Sequence, residues 1–143
     1  MGPVDKIIPY GFLIASTINV VMAQRLVRTI CQDCRTEKTL TDEEAKSLAE
    51  ALPQATKGKV YKKFFIGKGC KKCFQSGYYG RIGIFEAIEI NDDIRSLIMQ
   101  RANSGEIKAK AIQMGMTLMI EDGFQKALKG ITTIEELLRV IHE

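Results

Sequence analysis

Two pairs of cysteines constrain this chain more than any other feature. Cys31-Gln32-Asp33-Cys34 and Cys70-Lys71-Lys72-Cys73 are C-x-x-C units with 35 residues between them. Two thiolates spaced this way sit on one tight knuckle with backbone amides pointed at the sulfurs, and two knuckles complete a tetrahedral four-sulfur shell that suits zinc. Such a centre carries a formal charge of about −2, which Lys68, Lys71 and Lys72 are placed to offset. Gly67 and Gly69, just before the second pair, supply the backbone freedom the turn needs. Four sulfur ligands leave no position for water, so the expected metal is structural rather than catalytic. Disulfides, a redox pair and inert buried thiols are the competing readings. A thioredoxin-like pair needs one C-x-x-C at a helix start in a βαβ unit, not two units flanking a hairpin.

The rest of the chain limits the function classes. Its 143 residues are 45% hydrophobic and 27% charged, enough for one domain with a real core. A formal charge of +4 is too mild to identify a nucleic-acid binder. The single histidine, His142, sits next to the C-terminus, which makes histidine-dependent catalysis unattractive. The most apolar stretch, Phe12 to Ala23, is interrupted by Ser16, Thr17 and Asn19. It is shorter than the about 20 apolar residues of a membrane span and lacks a signal peptide's basic leader. A cytoplasmic setting with reduced thiols is expected.

The expected fold is mainly α (α+β), a helical domain with an inserted four-cysteine zinc-binding β-hairpin and short helix. Three segments are expected: a helical lead-in over residues 1–30, a zinc-binding insertion over 31–76, and a strand followed by a helical bundle over 77–143. In the lead-in, Ile14, Ile18, Val21 and Met22 recur at helical spacing, and Arg25 and Arg28 follow at the helix end, where cations suit the macrodipole. In the insertion, Thr41 and Glu44 form a capping box ahead of Ala45, Leu48 and Leu52, and Pro53 ends that helix. A strand around Val60, Phe64 and Ile66 feeds the second cysteine pair. Alternation of Ile82, Ile84, Ile88 and Ile90, interrupted by Glu86, marks another strand. Asn91 caps a helix with Ile94, Leu97, Ile98 and Arg101 on one side, and Ser104 caps the next, which stops at Gly115. A third carries Ile120, Phe124 and Leu128 and stops at Gly130; Thr132 with Glu135 opens the last, striped by Ile134, Leu137, Leu138 and Ile141. The count is five or six helices with a few short strands. From Lys57 to Arg81 there are eight basic residues and no acidic one, read as a solvated loop beside a thiolate centre. Tyr78 and Tyr79 are expected beside the zinc knuckle, and Met114, Met116 and Met119 in packing roles.

No G-x-x-x-x-G-K-[S/T] and no G-x-G-x-x-G after a strand occurs, so the chain has no recognisable phosphate cradle of its own and is not expected to hydrolyse a nucleotide alone. Other segments resemble a family. Ala23-Gln24-Arg25-Leu26-Val27-Arg28 leads into the first cysteine pair, and Gly77-Tyr78-Tyr79-Gly80-Arg81-Ile82-Gly83-Ile84-Phe85-Glu86 follows the second. Gly115-Met116-Thr117-Leu118, Asp122-Gly123 and Gly130-Ile131-Thr132-Thr133-Ile134-Glu135-Glu136 come later. In this order and spacing they resemble the C-terminal part of the type II secretion and type IV pilus-assembly ATPases. The resemblance covers the chain after residue 10, while Met1 to Gly11 fits poorly.

The resemblance implies a C-terminal fragment of a longer protein whose other part would hold the Walker motifs and bind ATP with Mg2+. It implies a homo-hexameric motor in the cytoplasm, peripheral at the inner membrane and acting on a membrane platform protein, with anionic lipid as a further candidate contact. In it, Cys31, Cys34, Cys70 and Cys73 match a zinc-binding insertion that projects from a helical domain. Arg81 matches an arginine placed to approach nucleotide phosphates, a task its fork and permanent charge suit. A salt bridge to Glu86 is the plainer role for Arg81. Two other functions compete with the motor module, in which no nucleic acid is expected as a partner: a free-standing zinc ribbon that binds nucleic acid through the basic hairpin, and a C-x-x-C oxidoreductase.

Overall fold

The computed structural model describes residues 11–142. In chain order the elements are α1 (Gly11–Thr17), β1 (Val20–Ile30), β2 (Arg35–Thr39), α2 (Asp42–Ala51), α3 (Pro53–Thr56), β3 (Lys63–Gly67), β4 (Tyr78–Glu89), α4 (Asp92–Met99), α5 (Ser104–Gln113), α6 (Met119–Leu128) and α7 (Ile134–His142). This is an α+β mixture of seven helices and four strands among the described residues, one helix more than expected. The strands form two two-stranded sheets, β1 with β4 and β2 with β3. The second is antiparallel, with Arg35 opposite Gly67 and Thr39 opposite Lys63. No helix among the described residues is long and apolar enough to cross a membrane. The poor fit of Met1 to Gly11 falls almost wholly outside the described residues.

The helical lead-in is the main correction. Helix α1 ends at Thr17, and Val20 to Ile30 is a strand. A four-residue spacing is a multiple of both the helical and the strand repeat closely enough to fit either, and Val20, Val21 and Val27 are β-branched residues that favour the pleated form. Arg25 and Arg28 therefore lie on β1, not at a helix end.

The chain divides into two compact units, residues 1–23 with 86–118 and residues 24–85 with 119–143. In the first, Ile90, Ile94 and Ala111 form a buried cluster with Ile18, Ile88, Ile98, Ile107 and Met116 packed against it. Asn91 caps α4 as expected, its side chain accepting the Ile94 amide at 3.1 Å. Helix α4 ends at Met99, and Arg101 lies beyond it with φ 57°. The cap of α5 is Asn103, not Ser104: its side chain accepts the Glu106 amide at 2.9 Å, and Glu106 accepts the Asn103 amide at 3.1 Å.

In the second unit, Thr41 and Glu44 form the expected capping box. Pro53 does more than end α2, for it opens the single-turn helix α3, where its missing N–H is no loss. The core gathers Val27, Leu48, Leu52, Ala55, Phe64, Ile84, Phe124, Ala127, Leu137 and Val140. Phe124 is at its centre, with the rings of Tyr61 and Phe64 edge-on at 5.2 and 6.0 Å. Residues 31–76 thus share a core with α6 and α7. Too few large side chains lie within that segment to form a core alone, so Leu48, Leu52, Ala55 and Phe64 are buried against later helices.

A buried carboxylate fastens β1 to α7. Glu136 is fully buried, and its oxygens accept the Arg28 amide at 2.7 Å, the Arg28 guanidinium at 3.1 Å and Arg139 Nε at 2.7 Å. Thr133, not Thr132, caps α7 by accepting the Glu136 amide. Thr132 instead donates to the Arg28 carbonyl at 2.8 Å. Arg25 donates to the Val140 carbonyl in the last turn of α7, so a cation does serve a helix C-terminus, across space rather than on its own helix.

Burial pushes the Glu136 carboxyl up, but the bonds from Arg139 and Arg28 overcome it and hold it at about 2, below its ordinary 4.5. A carboxylate depressed on folding contributes stability that is complete above pH 4.5 and lost as pH falls through about 2. Thermal melts over that acid window should show Glu136→Gln losing less stability with falling pH than the parent chain. Glu136→Leu, which strands the Arg28 amide, should lose about 3 kcal/mol in urea unfolding at neutral pH.

Candidate metal centre

The antiparallel pairing of β2 with β3 brings the two C-x-x-C turns together. The first turn links β1 to β2 and the second follows β3, so the register that sets Arg35 opposite Gly67 puts Cys34 beside Lys68. The Lys68 amide donates to the Cys34 carbonyl at 3.0 Å and the Gly69 amide to Cys34 Sγ at 3.3 Å. In the second knuckle, Cys73 Sγ accepts the Cys70 amide at 3.2 Å and the Gly77 amide at 3.3 Å. The N–H groups aimed at sulfur thus come from Gly69, Cys70 and Gly77, all in the second segment, an arrangement that stabilises thiolates.

Two close backbone approaches build this neck. A Cβ on Gly67 would collide with the backbone of Gly77, so the strand can pass the returning chain only as glycine. Gly69 has φ 94°, and a Cβ there would meet the Gln75 carbonyl oxygen at 2.8 Å. The expected backbone freedom is used at Gly69, whereas Gly67 is required for space rather than for a left-handed backbone.

The four sulfurs lie within 4.8 Å of one another. Cys31 and Cys70 are 3.7 Å apart, Cys34 and Cys73 3.9 Å, and Cys70 and Cys73 3.7 Å. A disulfide requires about 2.05 Å; all four cysteines are free, which removes the disulfide reading. A tetrahedron with Zn–S bonds near 2.3 Å has edges of about 3.8 Å, and these three separations match it. Cys31 and Cys73 are buried, and Cys34 and Cys70 are partly so. The cluster could therefore hold a metal ion on four sulfur ligands.

Electrostatics agree with a cation at its centre. Burial pushes the Cys34 thiol up to about 11 against the Gly69 amide, and the three neighbouring thiols add to the rise. Burial also opposes ionisation of Cys73, yet the amides of Cys70 and Gly77 bring it down to about 6. Cys73 thus ionises readily while Cys34 resists, a conflict that a bound divalent cation would relieve. Lys68, Lys71 and Lys72, which flank the second cysteine pair in sequence, are all exposed. Lys72 bonds Asp33 at 3.1 Å and lies 5.5 Å from the Tyr79 ring. Tyr78 points elsewhere: its hydroxyl meets Thr133 Oγ1 at 2.8 Å, and the Arg28 guanidinium stacks 4.1 Å from its ring centre. Arg81 is exposed on β4. Two features of the site carry no sequence signal of their own: the Gly77 amide, which only the closeness of the two backbones reveals, and Phe74, 91% exposed beside Cys73.

The family model described as "Type II/IV secretion system protein" matches residues 5–139, and the chain belongs to that family. The match starts earlier than the motif-bearing stretch after residue 10. Among relatives, the type IV pilus assembly ATPase PilB of Thermus thermophilus is 38% identical over 127 residues, covering 89% of this chain and 14% of that protein. The type II secretion system protein E of Aeromonas hydrophila is 39% identical over 133 residues, covering 92% of this chain and 25% of the relative. Protein E of Pseudomonas aeruginosa is 36% identical over 146 residues, covering 100% and 28%. The chain thus spans between 14% and 28% of the length of these relatives.

Gly67→Ala should force the neck apart. A loss of about 2 kcal/mol in chemical unfolding is expected, together with faster alkylation of the cysteines by iodoacetamide.

Proposed function

We propose that this chain is the C-terminal, zinc-binding structural module of a hexameric ATPase that powers type II protein secretion or type IV pilus assembly. The observation that carries the reading is the set of four sulfurs within 4.8 Å of one another in a family whose relatives are named as secretion and pilus-assembly proteins. Cys31, Cys34, Cys70 and Cys73 would hold one Zn2+, which supplies a fixed cross-link and no open coordination position. The sequence contains no phosphate loop, so ATP with Mg2+ would bind in another part of the longer protein. Exposed Val20, Val21, Met22 and Leu26 on β1 suit a strand covered there by further protein.

In that setting the motor would work in the cytoplasm, peripheral at the inner membrane, on a membrane platform protein. Arg81, exposed on β4, would approach the nucleotide phosphates and read nucleotide state. A second contact has its own support: Phe74 projects beside Lys68, Lys71 and Lys72, a tip suited to anionic lipid. The nucleic-acid and oxidoreductase readings find less support, since the relatives are secretion and pilus proteins and the two C-x-x-C units converge on one cluster instead of opening a helix.

Elemental analysis of protein purified without added zinc should return about one zinc per chain. Cys70→Ser should lose the metal and about 3 kcal/mol of stability, about 10 °C in a chain of this size. In the longer protein, Arg81→Ala should lower ATP turnover at least about tenfold while retaining zinc, with Arg81→Lys recovering little because it lacks the fork. Undiminished turnover would remove the nucleotide role of Arg81. Salt-sensitive affinity for DNA or RNA would instead favour the zinc-ribbon reading.

A further inference from the structure

A groove of about 550 Å3 lies in the second unit among α2, the β2–β3 hairpin and α7, away from the cysteine cluster. Leu48 and Phe64 are buried in its floor, and Phe65, Ile66, Ile134 and Leu138 continue the apolar lining. Its polar groups stand at the mouth: Glu43, Glu44, Ser47, Glu135 and Lys38. Lys38 is tied to Glu135 at 3.1 Å, and Glu44 is engaged with the Thr41 amide at 2.8 Å. Three carboxylates against one ammonium leave the mouth negative, although the whole chain is formally +4.

We infer that this groove is a docking site for a short amphipathic helix of a partner protein, with an apolar stripe flanked by lysine or arginine. The floor offers no converging polar groups to orient a small polar ligand, which such sites normally supply. It offers instead the two elements of helix-in-groove recognition, an apolar floor for the occupant's stripe and a charged border that selects sign. The flanking helices α2 and α7 have ten and nine residues, each about 15 Å long, the length of about three turns of an occupant. Because three carboxylates face one ammonium at the mouth, a helix bordered by basic residues is favoured there over an acidic one. The inference depends neither on zinc nor on ATP turnover.

The test uses the full chain labelled with 15N and two synthetic helical peptides of about fourteen residues with the same leucine stripe, one completed with lysine and the other with glutamate. The lysine peptide should shift the amides of Ser47, Ala51, Ile134 and Leu138, and its affinity should fall about tenfold as added salt screens the mouth. Glu43→Gln combined with Glu135→Gln should weaken it about tenfold with the remaining amide spectrum unchanged. Ser47→Trp, at the exposed mouth, should abolish it. Equal binding of the glutamate peptide, absence of shifts at the groove, or shifts confined to the neighbourhood of Phe74 would overturn the inference. So would concentration-dependent dimerisation of this chain through the same residues, which would make a second copy the occupant.

Discussion

The convergence of four sulfurs at the neck of a 35-residue excursion is the constraint on which the rest of the second unit depends. Closing so long a loop costs conformational entropy that the hairpin β2–β3, at five residues a strand, does little to offset. With Cys34 and Cys73 brought to 3.9 Å, the hairpin is anchored at one end. Its other end then presents Phe64 to Phe124 and carries α2 and α3 onto α6 and α7. The glycine crossing at Gly67 and Gly77 makes the neck narrow enough for the sulfurs to meet.

The opposite side of the neck is fixed by a different interaction. Glu136 gathers the Arg28 amide and two guanidinium groups in a buried site, just before β1 enters the first knuckle. The Ile30 amide donates to the Ile131 carbonyl at 2.8 Å, and the Cys31 amide to the Gly77 carbonyl at 2.9 Å. The first knuckle is thus held through β1 by the α6–α7 turn and through Gly77 by the second knuckle. A rigid, closed site of this kind suits a cross-linking metal and gives no foothold for metal-centred chemistry. Its mechanical value within the proposed motor would be to keep the insertion and the last two helices moving as one body.

Much of the site was legible in the sequence because its chemistry is local. A C-x-x-C spacing fixes one knuckle, and the glycines beside the second announce tight turns. The Thr41–Glu44 capping box and the Asn91 cap were readable for the same reason. Ile82, Ile84 and Ile88 lie on the strand β4 as their alternation suggested, and Ile90 lies just beyond it. What escaped was tertiary. On β1 every residue from Val20 to Leu26 is exposed, so no buried face imposes the alternation that distinguishes strand from helix, and the spacing of Ile14, Ile18 and Met22 suits both. Asn103 and Thr133 displaced the adjacent Ser104 and Thr132 as caps because a one-residue shift leaves another residue able to accept the same kind of bond. The shared core and the Glu136 network join residues about a hundred positions apart, a separation that periodicity does not report.

X-ray absorption at the zinc edge, on protein isolated without added metal, tests the central claim most directly. The account predicts a first shell of four sulfur atoms near 2.3 Å with no nitrogen or oxygen ligand. A folded, metal-free chain, or a shell containing nitrogen or oxygen, would contradict it.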